Sequence, residues 1–179
     1  WLDNYLRQWT TNPIWLALLF FGIIGLASDI LTLPFGWYST FVIEERFGFN
    51  KTTVKTFILD HIKSLLLAAV IGGGLLALIV WIYEQTQGMF WIYTLIVITA
   101  FSLFMTMFYS TLIVPLFNKQ KPLQDGELRD AIQRFSERAG FKLDNIFVID
   151  GSKRSTKANA YFTGFGAKKR IVLYDTLRD

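Results

Sequence analysis

The stretch GSKRSTKANAYFTGFGAKKRIVLYDTL, residues 151–177, decides how the C-terminal part of this chain folds. It is the densest cluster of polar, glycine and aromatic residues in an otherwise apolar chain. Residues 158–163 read as one β-strand and residues 170–175 as a second. Gly164, Gly166 and the Ala167-Lys168-Lys169 run supply the connection. Within the first strand, Asn159, Ala160, Tyr161 and Phe162 read as an exposed edge that can take another chain as an added strand. Main-chain hydrogen bonds would give such binding its affinity and alternate side chains its specificity. Open edges are aggregation hazards and are normally blunted. The competing reading is that a further strand covers this one.

Moving toward the N-terminus, residues 146–150 (IFVID) read as a short buried strand. Before it, Leu128, Ala131, Ile132, Phe135 and Ala139 repeat at helical spacing, which predicts a helix over 125–139. Asp125 reads as its cap, Glu127 sits in the first turn and Gly140 is a natural stop. Helix and strands together make an α+β segment with a three-stranded sheet. Its roughly sixty residues give a core that is marginal alone. Residues 118–124 (NKQKPLQ) read as a short basic linker.

The preceding part has a different character. Apolar residues make up 53% of the chain, charged residues 18%, and the mean hydropathy is +0.37. Residues 13–33 are apolar apart from Asp29, with Pro13 at a position that helices tolerate and Leu33-Pro34-Phe35-Gly36 as a stop or kink. Residues 64–83 form an uncharged run of about 30 Å as a helix. Gly72-Gly73-Gly74 at its centre would let a neighbouring helix approach closely. Residues 89–117 form a third uncharged run, interrupted by Pro115. Trp15, Trp81, Trp91, Tyr83, Phe90 and Tyr93 lie near the ends, as an aromatic belt requires. Between the first two spans, residues 37–63 read as a polar and aromatic connector, whose Tyr38, Phe41, Val42 and Phe49 suggest helix lying partly in the interface.

These patterns predict a polytopic α-helical membrane domain over residues 1–117, with three spans and a loop at 34–63, followed by the α+β segment over 118–179. The loop carries Arg46, Lys51, Lys55 and Lys63, whereas the 84–88 turn has no Lys or Arg. Three spans put that loop and everything after 118 on one side, which the positive-inside rule makes cytoplasmic. From residue 118 onward there are 13 Lys and Arg against 8 Asp and Glu; before it there are 5 against 6. A basic segment after a membrane part points to lipid headgroups, and the apolar spans argue against nucleic acid.

Composition also removes chemistries. With no cysteine, disulfides, thiolate metal sites and thiol nucleophiles are excluded. The one histidine, His61, reads as a headgroup-level or loop residue. Asp29 reads either as an interfacial carboxylate or as a polar group facing an internal cavity. Adjacent Glu44 and Glu45 point in different directions on a helix and read as a solvated face. Ser152 and Ser155 have no base beside them except Lys153 and Lys157, a weak Ser–Lys signal. Residues 151–154 could hold an anion but lack the full phosphate-loop pattern. The chain begins at Trp1 rather than Met, which reads as processing or a fragment. A transporter, suggested by the glycine-rich span and Asp29, lacks the repeat such folds carry.

Three stretches carry a family resemblance: LPFGWY with FVIEERFGFNK, residues 33–38 and 41–51; PLFNKQKPLQDGELRDAI, residues 115–132; and IFVIDGSKRSTKANAYFTGFGAKKRIVLYDTL, residues 146–177. Each resembles the membrane-integral type 1 CAAX prenyl protease family of zinc metallopeptidases. The resemblance implies a bundle of membrane helices around an intramembrane chamber, closed by a cytoplasmic zincin-like domain. It further implies zinc held by a His-Glu-x-x-His helix and a later glutamate, with the motif glutamate as general base. By the same resemblance an edge strand holds the substrate peptide antiparallel, and its Asn-Ala pair falls on Asn159-Ala160. The His-Glu-x-x-His motif is absent from this sequence. Asp175-Thr176 is expected to cap the helix that would bear it. The expectation is therefore a parent zinc metalloendopeptidase whose metal ligands and base lie in a C-terminal remainder. This chain supplies chamber helices and the substrate-binding strand, and is inactive by itself. A smaller departure is Lys157-Ala158, where relatives often have His-Ser. The rival from another class is a non-catalytic pseudo-peptidase or assembly scaffold.

Overall fold

The computed structural model describes residues 1–140, 145–164 and 169–178. The chain packs as two compact units, Trp1–Ile43 with Val54–Thr99 and Glu44–Thr53 with Ala100–Asp179. This division differs from the expected boundary at residue 117. Residues 44–53 are hydrogen-bonded to residues 154–157, and the end of the third apolar run to Gln120, Arg154 and Thr163, so both pack in the second unit.

In the first unit a short helix α1 (Leu2–Leu6) precedes α2 (Pro13–Tyr38). Asn12 caps α2, its Oδ1 accepting from the backbone N–H of Ile14 at 2.9 Å and Trp15 at 3.2 Å. Pro34 neither ends the helix nor starts a loop: the helix passes through it and continues in π-helical form over Ser39–Glu44. A proline costs one backbone hydrogen bond, which long apolar helices absorb by local changes of register. The helical stretch ends near Gly48, whose positive φ of 73° lets the chain turn.

The next helix starts at Val54, earlier than the run at 64. It comprises α3 (Val54–Leu67), a π-helical segment Ala68–Gly72 and α4 (Gly73–Thr86). Most of the 37–63 connector is helix, as its aromatic residues suggest. Phe57 packs edge-on against Trp37 at 5.6 Å and Phe41 at 5.4 Å between ring centroids. Gly73 does bring helices close, since a Cβ there would lie 3.7 Å from Leu18 Cδ2 of α2. Gln87, at φ 37°, breaks the helix into a 3-10 turn over Gln87–Met89. Beyond it run α5 (Phe90–Leu112) and α6 (Val114–Phe117), parted at Ile113 just before Pro115. Two helical stretches, Pro13–Glu44 and Val54–Phe117, are long and apolar enough to cross a membrane.

The second unit holds a four-stranded sheet in the order β1-β2-β4-β3. Its strands are β1 (Gln120–Pro122), β2 (Ile146–Ile149), β3 (Ala160–Thr163) and β4 (Arg170–Tyr174). β1 comes from the segment read as a linker, and it pairs antiparallel with β2. β2 pairs parallel with β4, and β3 pairs antiparallel with β4. The strands are shorter than the spans at 146–150, 158–163 and 170–175; Asp150 and Asp175 lie just past the ends of β2 and β4, their carboxylates accepting from the backbone N–H groups of Lys119 and Ser152. Of the hairpin connection, residues 165–168 lie outside the described residues.

Helix α7 (Glu127–Arg138) is capped by Gly126, not Asp125. Asp125 instead pairs with Arg129 at 3.2 Å. Only part of the α7 apolar stripe reaches the core. Ile132 packs on the buried cluster Leu123, Ile146 and Leu173, while Phe135 is 75% exposed.

Candidate functional site

β3 is the last strand of its sheet among the described residues, as the NAYF segment predicts. In an antiparallel pair, residues alternate between bonding the neighbour strand and pointing their backbone groups away from it. The Tyr174 N–H donates to the Asn159 carbonyl at 2.9 Å, so Asn159, Tyr161 and Thr163 occupy the inward-bonding positions. Ala160 and Phe162 therefore carry their backbone N–H and C=O on the outer side. The Ala160 N–H is met there by Asn159 Oδ1 at 2.8 Å.

Side chains alternate in step. Tyr161 and Thr163 are half-buried, whereas Ala160 and Phe162 are exposed. Tyr161 OH lies 3.4 Å from Ser110 Oγ of α5, and Thr163 Oγ1 donates to the Thr106 carbonyl at 3.4 Å. Ser110 is only 1% exposed and also accepts from Gln120 Nε2 of β1 at 3.1 Å. Burial raises the Tyr161 phenol above its ordinary pKa, and the contact with Ser110 offsets part of that.

The approach to β3 is held from both sides. A Cβ on Gly151 would overlap the Tyr174 ring, so glycine is needed for the close approach there. Ser152 donates its N–H to Asp175 Oδ1 at 2.8 Å and its hydroxyl to Asp175 Oδ2. Partial burial works to raise the Asp175 pKa, but these hydrogen bonds and that from the Thr176 N–H outweigh it and leave the carboxyl below its usual range. Asp175 opens the short helix α8 (Asp175–Arg178), where its Oδ1 also accepts from Thr176 N at 2.9 Å. The Ser155 hydroxyl accepts from the Lys157 backbone N–H at 3.1 Å. With Ser152 committed to Asp175, these contacts use both hydroxyls in holding the turn.

Sequence reasoning missed three pairings. Glu44 and Glu45 are not simply a solvated face: Glu44 Oε1 pairs with Lys157 Nζ at 2.7 Å, and Glu45 Oε2 accepts from Asn50 Nδ2 at 2.8 Å. In the first unit, His61 Nε2 lies 3.0 Å from Asp29 Oδ2, joining α3 to α2. Only the order of the helices hinted at this, since consecutive helices with a short connection bring residues near it to similar depth.

A zincin centre needs two histidines and a carboxylate. The one histidine here is engaged by Asp29 in the other unit, and the described residues contain no group of three His, Asp or Glu able to hold a metal. The donor set of this chain does not fit the zinc site.

Residues 1–119 match the family model described as the CAAX prenyl protease N-terminal region, five membrane helices. The chain belongs to the CAAX prenyl protease family. Residues 122–179 match peptidase family M48. The chain is 47% identical over 162 residues to CAAX prenyl protease 1 of Saccharomyces cerevisiae, covering 90% of this chain and 36% of that protein. It is 45% identical to the CAAX prenyl protease 1 homolog of Arabidopsis thaliana, covering 93% and 39%. The crystal structure of S. mikatae Ste24p superposes with a TM-score of 0.85 at 46% identity, covering 93% of this chain and 39% of that one. The chain thus spans well under half the length of these relatives. Its N-terminal part is a membrane-helical region of Ste24p-like fold, and the polypeptide is an integral membrane protein of a metalloprotease family. Relatives named as proteases do not favour the non-catalytic scaffold.

Proposed function

We propose that this chain is the N-terminal part of an integral membrane zinc metalloendopeptidase that cleaves prenylated CAAX-type or other membrane-associated peptides. The apolar helices wall its chamber, and residues 118–179 begin its zincin-like domain. The chain crosses the membrane three times, with Gln87–Met89 dividing the second apolar stretch into two crossings. The 34–63 loop and residues 118–179 face the cytoplasm by their excess of Lys and Arg. Zinc, its ligands and the general base belong to the C-terminal remainder of the parent, because the donors here do not fit them. The 179-residue chain by itself is expected to give no zinc-dependent cleavage of a prenylated peptide in a fluorescence assay.

The observation that carries this reading is the position of β3 at the margin of the sheet, with Ala160 directing its backbone outward. Asn159, Ala160, Tyr161 and Phe162 line the cleft, and the substrate peptide adds as an antiparallel strand. The register chooses the test. A proline at 159 would keep the carbonyl that bonds Tyr174 but would remove the Oδ1 that meets the Ala160 N–H, so its effect would not isolate the outward donor. Ala160→Pro removes a donor only from the outer side, where edge strands tolerate proline. In the full-length parent, Ala160→Pro is expected to lower kcat/KM by about tenfold, the scale of one lost hydrogen bond, while thermal stability in detergent is kept. Unchanged kinetics would remove β3 from the site.

A further inference from the structure

The segment before β3 is strapped to the loop at residues 44–53. Lys51 N–H donates to the Arg154 carbonyl at 3.0 Å and Thr156 N–H to the Phe49 carbonyl at 3.0 Å. Asn50 and Ser155 form an antiparallel bridge. Thr52 Oγ1 and Thr156 Oγ1 add bonds to the Arg154 and Gly48 carbonyls at 3.1 and 3.2 Å. This backbone pairing ends at Thr156, three residues short of Asn159.

Lys157 extends it. Its Nζ reaches Glu44 Oε1 at 2.7 Å and lies 4.9 Å from the Phe49 ring centroid. Its carbonyl accepts from Thr176 Oγ1, just past β4, at 3.0 Å. One residue is therefore tied by its side chain to the loop and by its backbone to the start of α8. Only Ala158 separates it from the strand residues proposed to bind substrate. We infer that the Glu44–Lys157 pair is a positioning contact for peptide binding, fixing where β3 begins and hence where the outward groups of Ala160 stand. The inference rests on the strand-addition reading.

A substrate strand must align with β3 before its backbone bonds form, so a loosened entrance weakens binding and leaves the chemical step alone. Both side chains are partly solvated, 52% and 33% exposed. The effect is therefore modest and sensitive to salt.

The test uses the full-length parent in detergent or liposomes. Lys157→Met and Glu44→Gln are each expected to raise KM for a prenylated peptide roughly two- to fivefold, the range of one partly exposed pair, with kcat unchanged. The exchange Glu44→Lys with Lys157→Glu is expected to restore KM to near the parent value. About 0.5 M salt should shrink the difference between parent and single variants. Thermal unfolding of each variant separates positioning from collapse of the loop. Single variants with the parent KM would overturn the inference. So would a fall in kcat alone, or an exchange that leaves KM high in a normally stable protein. Ala160→Pro runs alongside. If it weakens binding while the pair variants do not, the positioning role falls and strand addition stands. If it changes nothing, strand addition falls, and a raised KM in the pair variants would then arise elsewhere and overturn the positioning role too.

Discussion

The sheet has two outer strands, and they are built differently. β1 is three residues long and contains Lys121 and Pro122. The Leu123 N–H donates to the Ile146 carbonyl at 2.9 Å and the Asp150 N–H to the Lys119 carbonyl at 3.3 Å. The odd-numbered positions of β1 therefore bond inward, and Gln120 and Pro122 face out. The proline removes a donor from the side where another chain would add. β3 has four residues, no charge and no proline, and Ala160 stands at the equivalent outward position. Short length, lysine and proline are the ordinary means of blunting an edge. Both edges are short, but β1 also has the lysine and the proline and β3 has neither. That contrast, more than exposure alone, supports the proposal that β3 pairs with a peptide.

The largest effect expected from this comparison comes from giving β3 the chemistry of β1. Ala160→Pro copies the outward proline of Pro122 onto the other edge. Peptide turnover by the parent should fall by about tenfold in kcat/KM, measured on a quenched fluorescent substrate. A loss of folded protein on gel filtration would show instead that β3 is structural.

How much of this contrast could be read beforehand depended on the range of the interactions involved. The apolar runs and the alternation around Asn159–Phe162 are local patterns, and they predict the helices and the β3–β4 hairpin directly. β1 was invisible because Gln-Lys-Pro has no β-branched or aromatic residue; its pairing with β2 is what makes it a strand. Pro34 does not end its helix, because an apolar helix can absorb a proline. The strap from 44–53 to 151–157 joins residues about a hundred positions apart through backbone bonds and one ion pair, with no periodicity to betray it. Asp29 and His61 likewise meet only through tertiary packing. The absent zinc ligands, by contrast, were plain from counting one histidine and no cysteine.

Ser110 offers a smaller and sharper comparison, since its hydroxyl touches both edges, Gln120 of β1 and Tyr161 of β3. Tyr161→Phe removes the contact to β3 and keeps the one to β1. At 3.4 Å the lost bond is long, so the cost is about 0.5 kcal/mol, near the lower end for a hydrogen bond. The pH dependence is more telling. Burial raises the Tyr161 pKa in the folded state, so the unfolded chain loses this proton first as pH rises. The stability it carries is complete below the ordinary tyrosine range and declines as pH rises through the folded value. Tyr161→Phe should flatten that alkaline decline in thermal unfolding of the parent. An identical alkaline limb in both proteins would place the tyrosine in a more solvated setting than the sheet gives it.

The smallest kinetic effect is expected from the reverse exchange. Pro122→Ala supplies β1 with an outward N–H and removes one of its three blunting features. If substrate adds at β3, as proposed, KM and kcat should both match the parent. What should change is association between protein molecules, because an edge with a restored donor is a better template for strand pairing. Light scattering of the purified protein on concentration should rise modestly, with Lys121 and the short length of β1 still opposing growth. If Pro122→Ala altered KM as strongly as Ala160→Pro, the two edges would be equivalent for the substrate, and sequence blunting would carry no information about which one binds. If neither exchange altered KM, the substrate would be held by something other than the sheet. A lone effect at β3 is the outcome that ties peptide binding to the edge that lacks lysine and proline.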